Sequence, residues 1–269
     1  RDLRMSRGLG DVYKRQLLNM IFDENTYEIV CNRFGIIVND WIAKDELQYI
    51  QMNTHESMRV EENFRHYIYK DKYDKAGDTG SYFWQDLWAA KKIIRDHPKQ
   101  HYDIGSRVDG FIAHLLAADI DVTLIDIRPL DLKLDGLTFV CDDATEMKHI
   151  PDESIESISA LCSLEHFGLG RYGDPINPDA CYQCFDSIQK KVKSGGNIYL
   201  SVPIGLEHLE FNAQRIFFAR TIVELFDSCI LKEFSCANRV FEKDVPLNKY
   251  NEDINYGGIR FGLFWFEKK

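Results

Sequence analysis

The sequence predicts an α/β protein built on a mostly parallel, seven-stranded sheet with a closing antiparallel strand, preceded by an N-terminal extension. Two observations carry this. From His101 onward, short β-branched runs alternate with amphipathic helical segments, the pattern of parallel strands joined by helical crossovers. Near the C-terminus no helical pattern separates SCILKEFSC (228–236) from IRFGLFWFEK (259–268), so these two strands can pair antiparallel.

The elements follow in chain order. Ser81 is a candidate cap, and Phe83, Trp84, Leu87, Trp88, Ala90, Ile93 and Ile94 recur at helical spacing, which predicts a helix over 82–96 ended by Pro98. HYDIG (101–105) reads as a strand, VDGFIAHLLAAD (108–119) as a helix, and DVTLIDI (121–127), LTFVC (137–141) and SIESISALCS (154–163) as strands. A Gly-rich loop then leads to a helix over 178–193, stopped by Gly195 and Gly196. NIYLSVP (197–203) is the next strand and AQRIFFARTIVELFD (213–227) the next helix.

Upstream, 17–75 holds only short apolar pieces, and YIYKDKYDKAGDTG (67–80) reads as a linker or loop. The first sixteen residues, RDLRMSRGLGDVYKRQ, show no apolar period and no signal-peptide core, and resemble translated sequencing-adapter DNA. The expected division is a non-native leader at 1–16, an extension at 17–80 and an α/β domain at 81–269.

The chain has 269 residues, enough for a large core, and carries 33 basic against 43 acidic residues, a net charge of −10. Setting aside the leader's five basic and two acidic residues leaves 28 against 41, a net charge of −13. Such a balance argues against nucleic acid or an anionic membrane surface as the main partner. No apolar run reaches the ~18 residues of a membrane-spanning helix. The seven cysteines are odd in number and scattered from Cys31 to Cys236, which fits a reducing cytoplasm better than a disulfide framework. Cys181 and Cys184 form a C-x-x-C within a predicted helix, without a second pair or spaced histidines, so no metal site is expected.

In an open parallel sheet, ligands bind beyond the carboxyl ends of the strands. The first strand ends in Asp103, Gly105, Ser106 and Arg107, where a glycine turn and a helix start offer backbone N–H groups to an anion. The second ends in Asp126, twenty-one residues after Gly105, a spacing that suits ribose hydroxyls. The third ends in Cys141, Asp142, Asp143 and Ala144, where a carboxylate can accept a bond from an adenine amino group. The alternative for these residues is a tight turn with two capping acids. At the fourth strand end, His166 is a candidate general base and Glu165 a group to orient or tune it. Arg171, Tyr172 and Asp174 follow in a loop able to bind a hydroxylated or charged substrate. The alternative there is a rigid loop in which His166 bonds to backbone. Glu207, Glu210, Asn212 and Arg215 can reach the same rim or serve as caps and surface groups.

The order of strand ends, DIGSR, LIDIRP, CDDAT and SLEHFG, with the closing antiparallel pair, resembles a class I S-adenosylmethionine-dependent methyltransferase of Rossmann-like fold. FWQDLWAAKKI, DIGSRVDGFIAHLL, IDIRPL, EHFGLGRYGDPI and SVPIGLEHLEFNAQRIF more closely resemble the methyltransferase-like family called domain of unknown function 268, from about residue 76 to the C-terminus. The resemblance implies S-adenosylmethionine as cofactor. Gly105 to Arg107 would meet its methionine part, Asp126 its ribose and Asp142 or Asp143 its adenine, with Asp103, Ile127, Ala144 and Ser163 completing the set. It departs from the class pattern at Arg107, which stands where a glycine is usual and would either clamp the cofactor carboxylate or obstruct the cofactor. The family's bacterial members often accompany surface-polysaccharide genes, which implies O-methylation of a small molecule or sugar. The other readings are a catalytically silent Rossmann-like module that binds a nucleotide or a partner in glycan assembly, and a nicotinamide-dependent enzyme, which the missing G-x-G-x-x-G disfavours.

Overall fold

The structure is a computed structural model and describes residues 40–68, 71–77, 79–254 and 258–269. The expected leader and the extension up to residue 39 lie outside the described residues. The chain divides into two compact units, Arg1–Asp78 and Thr79–Lys269.

In the first unit, helix α1 (Asp40–Met52) is followed by short 3-10 turns at Glu56–Met58, Glu62–Phe64 and Asp71–Tyr73. Polar contacts hold these pieces together. Glu46 accepts from Arg65 Nε at 2.8 Å and from the Tyr67 hydroxyl at 2.9 Å, while Lys72 pairs with Asp45 and lies over the Trp41 ring.

In the second unit, α2 (Ser81–Asp96) precedes β1 (Gln100–Ile104), α3 (Gly110–Leu116), β2 (Asp121–Asp126), β3 (Leu137–Cys141) and β4 (Ile155–Leu161). After the 3-10 turn Leu164–His166 come α4 (Ala180–Lys191), β5 (Val192–Pro203), β6 (His208–Glu210), β7 (Gln214–Ile216) and α5 (Ala219–Leu225). Strands β8 (Cys229–Ala237), β9 (Phe241–Glu242) and β10 (Phe261–Lys268) complete the chain. The main sheet runs β3-β2-β1-β4-β5-β10-β8-β9. Strands β1 to β5 pair parallel, and β10 lies antiparallel between β5 and β8. The mostly parallel α/β sheet is therefore the one expected, with the two-residue β9 as an eighth strand paired antiparallel to β8.

Alternation along the strands fills both faces. Ile198, Leu200 and Val202 of β5 and Phe264 and Phe266 of β10 pack with α4 and α5, whereas Tyr199, Phe261 and Leu263 point the other way, into the cluster of Trp88, Ile93, Phe111 and Leu115 from α2 and α3. Burying about a dozen large side chains completely, each worth roughly 1.5–3 kcal/mol, makes these two layers the main source of stability.

Three local expectations need correction. The helix expected over 213–227 starts only at Ala219, because Gln214, Arg215 and Ile216 are buried on all sides and pair with β6. Ser81 does not cap α2; it is the first helical residue, and its hydroxyl donates to the Ile259 carbonyl. The buried stripe of α2 is Gln85, Trp88, Ala89, Ala90 and Ile93, while Phe83 is half exposed.

Candidate functional site

Because β1 to β4 are parallel, their carboxyl ends share one edge, which opens into a cavity of about 1040 Å³. The catalytic, cofactor and substrate candidates at the strand ends line it, except Asp103 and Glu165; Glu207, Glu210, Asn212 and Arg215 do not.

Asp103 lies beneath the turn, fully buried, and accepts from the Ser106 backbone N–H at 3.1 Å and from the Ser159 hydroxyl. Burial pushes its carboxyl up to about 6. Ser159 also meets His101 Nε2 at 2.8 Å, and His101 Nδ1 meets Ser157 at 2.8 Å. The expected cofactor ligand is thus a support for the turn. Above it, Gly105 has φ +77°, and a Cβ there would stand 2.9 Å from Ser163 Cβ, so only glycine leaves this space open. Arg107 does not fill the turn; its side chain is exposed and reaches Asp109 at 3.2 Å.

At the β2 end, Asp126 is clasped by Arg128, which donates to it from Nε at 2.9 Å and again from its own backbone N–H at 2.8 Å. At the β3 end, Asp142 and Asp143 turn the chain by accepting from the backbones of Asp143 and Thr145, and Ala144 lines the wall. Two buried polar atoms on this rim, Asp142 Oδ2 and Ser163 Oγ, have no protein partner among the described residues.

His166 lies at the β4 end, where Nδ1 meets the Ala213 carbonyl at 2.6 Å. A carbonyl can only accept, so Nδ1 carries the proton and Nε2 the lone pair. Burial lowers this imidazole to about 4, which leaves it neutral at pH 7. Glu165 stands behind it, with Oε1 3.5 Å from Nε2 and Oε2 without a partner among the described residues. Burial raises Glu165 to about 8, so near neutrality it is a protonated acid and offers no counter-charge to the imidazole.

The loop beyond is held by Asp174, whose carboxylate accepts from the backbones of Gly168 at 2.6 Å and Tyr172 at 3.2 Å. Asp174, expected to bind substrate, therefore has its oxygens engaged by the loop. Arg215 is buried and donates to the carbonyls of Glu165, Phe167 and Pro178, pinning the same loop from below. Tyr172 stands between two guanidinium groups, with Arg128 4.7 Å and Arg171 5.1 Å from its ring centroid, and packs edge-on to His166 at 5.5 Å.

Helix α2 supplies lining that the sequence reading missed: Tyr82, Gln85 and Asp86. Asp86 reaches the start of α3, where a Cβ on Gly110 would fall 2.6 Å from its carboxylate, and burial raises its pKa. The signal was the polar pair Gln85 and Asp86 inside an otherwise apolar FWQDLW. At the floor, Cys162 meets Ser201 Oγ at 2.9 Å, and burial raises its thiol, so it is not a thiolate nucleophile.

A family model described as Caenorhabditis protein of unknown function, DUF268, matches residues 139–231. The match covers 93 of the 269 residues. It runs from β3 into β8 and contains the 3-10 turn with His166, but the matching range is shorter than the expected resemblance from about residue 76. No curated protein matches the chain. Among solved structures, 1,6-didemethyltoxoflavin-N1-methyltransferase from Burkholderia thailandensis, bound to 1,6-didemethyltoxoflavin and S-adenosylhomocysteine, aligns over 68% of this chain and 78% of its own, with 18% identity and a TM-score of 0.49. N-methyltransferase NodS from Bradyrhizobium japonicum, in complex with S-adenosylhomocysteine, aligns over 71% and 89% with 10% identity and a TM-score of 0.48. The [4+2]-cyclase SpnF aligns over 68% and 81% with 14% identity and a TM-score of 0.48. The fold assignment rests on strand order: a parallel β3-β2-β1-β4-β5 sheet with β10 antiparallel between β5 and β8, the expected Rossmann-like arrangement.

Proposed function

We propose that the protein is an S-adenosylmethionine-dependent methyltransferase that methylates an oxygen of a small molecule or sugar. The observation that carries this reading is the cradle at the β1 to β4 ends, where the space above Gly105 and the orphaned Ser163 Oγ and Asp142 Oδ2 fit a polar ligand. When bound, S-adenosylmethionine supplies an electrophilic methyl group on a sulfonium.

Each end of the cradle has a matching chemistry. The half-buried Asp86 carboxylate suits the ligand's ammonium group, and the exposed Arg107 can swing from Asp109 onto its carboxylate. Asp126 suits the ribose hydroxyls, and Asp142 or Asp143 the adenine amino group, with Ile127 and Ala144 as apolar walls. His166, neutral and with its lone pair on Nε2, 3.5 Å from Glu165 Oε1, would take the acceptor hydroxyl proton as the new oxygen–methyl bond forms and the sulfur–methyl bond of the sulfonium breaks. An imidazole lowered to about 4 is a weak base, so most of the rate acceleration comes from positioning. The expected setting in surface-polysaccharide metabolism rests on the family resemblance. A cytoplasmic location is the reading that the odd number and scatter of the seven cysteines favour.

A second reading, a catalytically silent nucleotide- or partner-binding module, is favoured by the tie between His166 Nδ1 and the Ala213 backbone. Titration calorimetry with S-adenosylhomocysteine tests the cofactor claim: saturable micromolar heat is expected, and none at millimolar ligand would sink it. His166→Ala separates the two readings, since loss of a general base lowers kcat by about 10²-fold or more, whereas a silent module keeps its function.

A further inference from the structure

The geometry points to an acceptor that carries an anionic group, a carboxylate or a phosphate, held by Arg171 and completed by Arg128 once Asp126 is occupied by ligand. Arg171 lines the cavity beside His166 and makes no salt bridge to a carboxylate among the described residues. Its Nη1 donates to the Ala213 carbonyl at 3.0 Å and lies 3.3 Å from His166 Nδ1, which fixes the guanidinium while leaving other donors open among the described residues. Neither nearby acid pairs with it directly: Asp174 is turned onto the loop backbone and Glu165 is buried behind His166.

Arg128 differs in that its charge is held by Asp126. Its donors occupy both carboxylate oxygens, the same atoms that ribose hydroxyls would take. A ligand hydroxyl on Asp126 therefore competes with Arg128 and frees a second guanidinium at the Tyr172 ring. The two guanidinium centres flank one aromatic ring and so lie within about 10 Å of each other, roughly a Debye length at physiological salt. An anion placed there relieves both charges and sits beside His166. This predicts ordered binding, with the nucleoside ligand first and the anionic acceptor second. The coupling to Arg128 rests on the cofactor reading; the role of Arg171 does not.

Ligand-observed NMR tests it with three probes: acetate, its neutral isostere acetamide, and inorganic phosphate. Each is measured with the full chain alone and with the chain saturated in S-adenosylhomocysteine. The expected result is broadening of the acetate or phosphate line, which distinguishes the two anion chemistries, with acetamide unaffected. Arg171→Gln should weaken anion binding about tenfold, the loss of one charge-assisted hydrogen bond, and Arg171→Lys should retain part of it. Arg128→Gln should abolish only the increase caused by S-adenosylhomocysteine. Circular dichroism confirms that the variants fold. Equal binding of acetamide and acetate, unchanged binding in folded Arg171→Gln, or no anion broadening would each overturn the proposal. If S-adenosylhomocysteine does not bind, the cofactor reading fails, while the Arg171 dependence still decides the anion site.

Discussion

Replacing Glu165 by Gln changes one buried carboxyl into its neutral mimic, and the structure sets both the sign and the size of the effect. Glu165 is 1% exposed, has one oxygen without a partner among the described residues, and titrates at about 8 against an ordinary 4.5. In the unfolded chain the carboxyl ionises near its ordinary value, so between the two pKa values the folded state binds more protons, and stability falls as pH rises through that window. Below pH 4.5 both states are protonated and the group contributes nothing. At 1.36 kcal/mol per unit, the cost is about 3 kcal/mol at pH 7 and about 5 kcal/mol at pH 9, where it levels off. Glu165→Gln removes this titration. Urea denaturation of both proteins at pH 5, 7 and 9 should show the variant gaining on the wild type by about those amounts. A difference that stays constant with pH would refute a protonated Glu165, and with it the neutral Glu165–His166 pair described above.

Three further predictions follow from the same geometry. Gly105→Ala places a Cβ against Ser163 at positive φ, so it should cost about 1–3 kcal/mol of stability and weaken S-adenosylhomocysteine binding, read by thermal melting and calorimetry. Arg215→Met leaves the carbonyls of Glu165, Phe167 and Pro178 without their donor and should cost about 3 kcal/mol in urea denaturation; a loss under about 0.5 kcal/mol would show that the loop does not depend on it. Asp103, raised from 3.8 to about 6, makes wild-type stability fall as pH climbs between those values. The slope should be flatter in Asp103→Asn, as pH-jump denaturation would show.

The strands were legible because parallel strands buried on both faces read as short β-branched runs, and the cavity edge followed from their shared direction. Gly105, Asp126 and His166 were found at strand ends for that reason. Roles were harder to read than places. Asp103 and Asp174 sit where ligands were expected, yet their oxygens are turned inward to backbone and serine donors, a distinction that depends on rotamer and not on spacing. Asp86 and Gln85 were hidden because helical periodicity assigns a face by averaging, and one polar pair in a tryptophan-rich helix does not shift the average. The sequence leaves Arg215 between the cavity rim, a cap and the surface, since a long cation is seldom buried without an acid. Here three carbonyls replace the acid, and the same burial turned the expected start of a helix into β7.

The row from Ser157 through His101 and Ser159 to Asp103 has a direction. An ionised Asp103 can only accept, so Ser159 must donate to it, His101 must donate from Nε2 to Ser159, and Ser157 must donate to Nδ1. Protonating Asp103, or replacing it by Asn, lets the whole row reverse and moves the imidazole proton to Nδ1. The nitrogen resonances of His101, a core residue with no solvent exposure, therefore serve as a readout of the charge beneath the glycine turn. A titration followed at that ring would register events at the cavity floor without any label in the cavity itself.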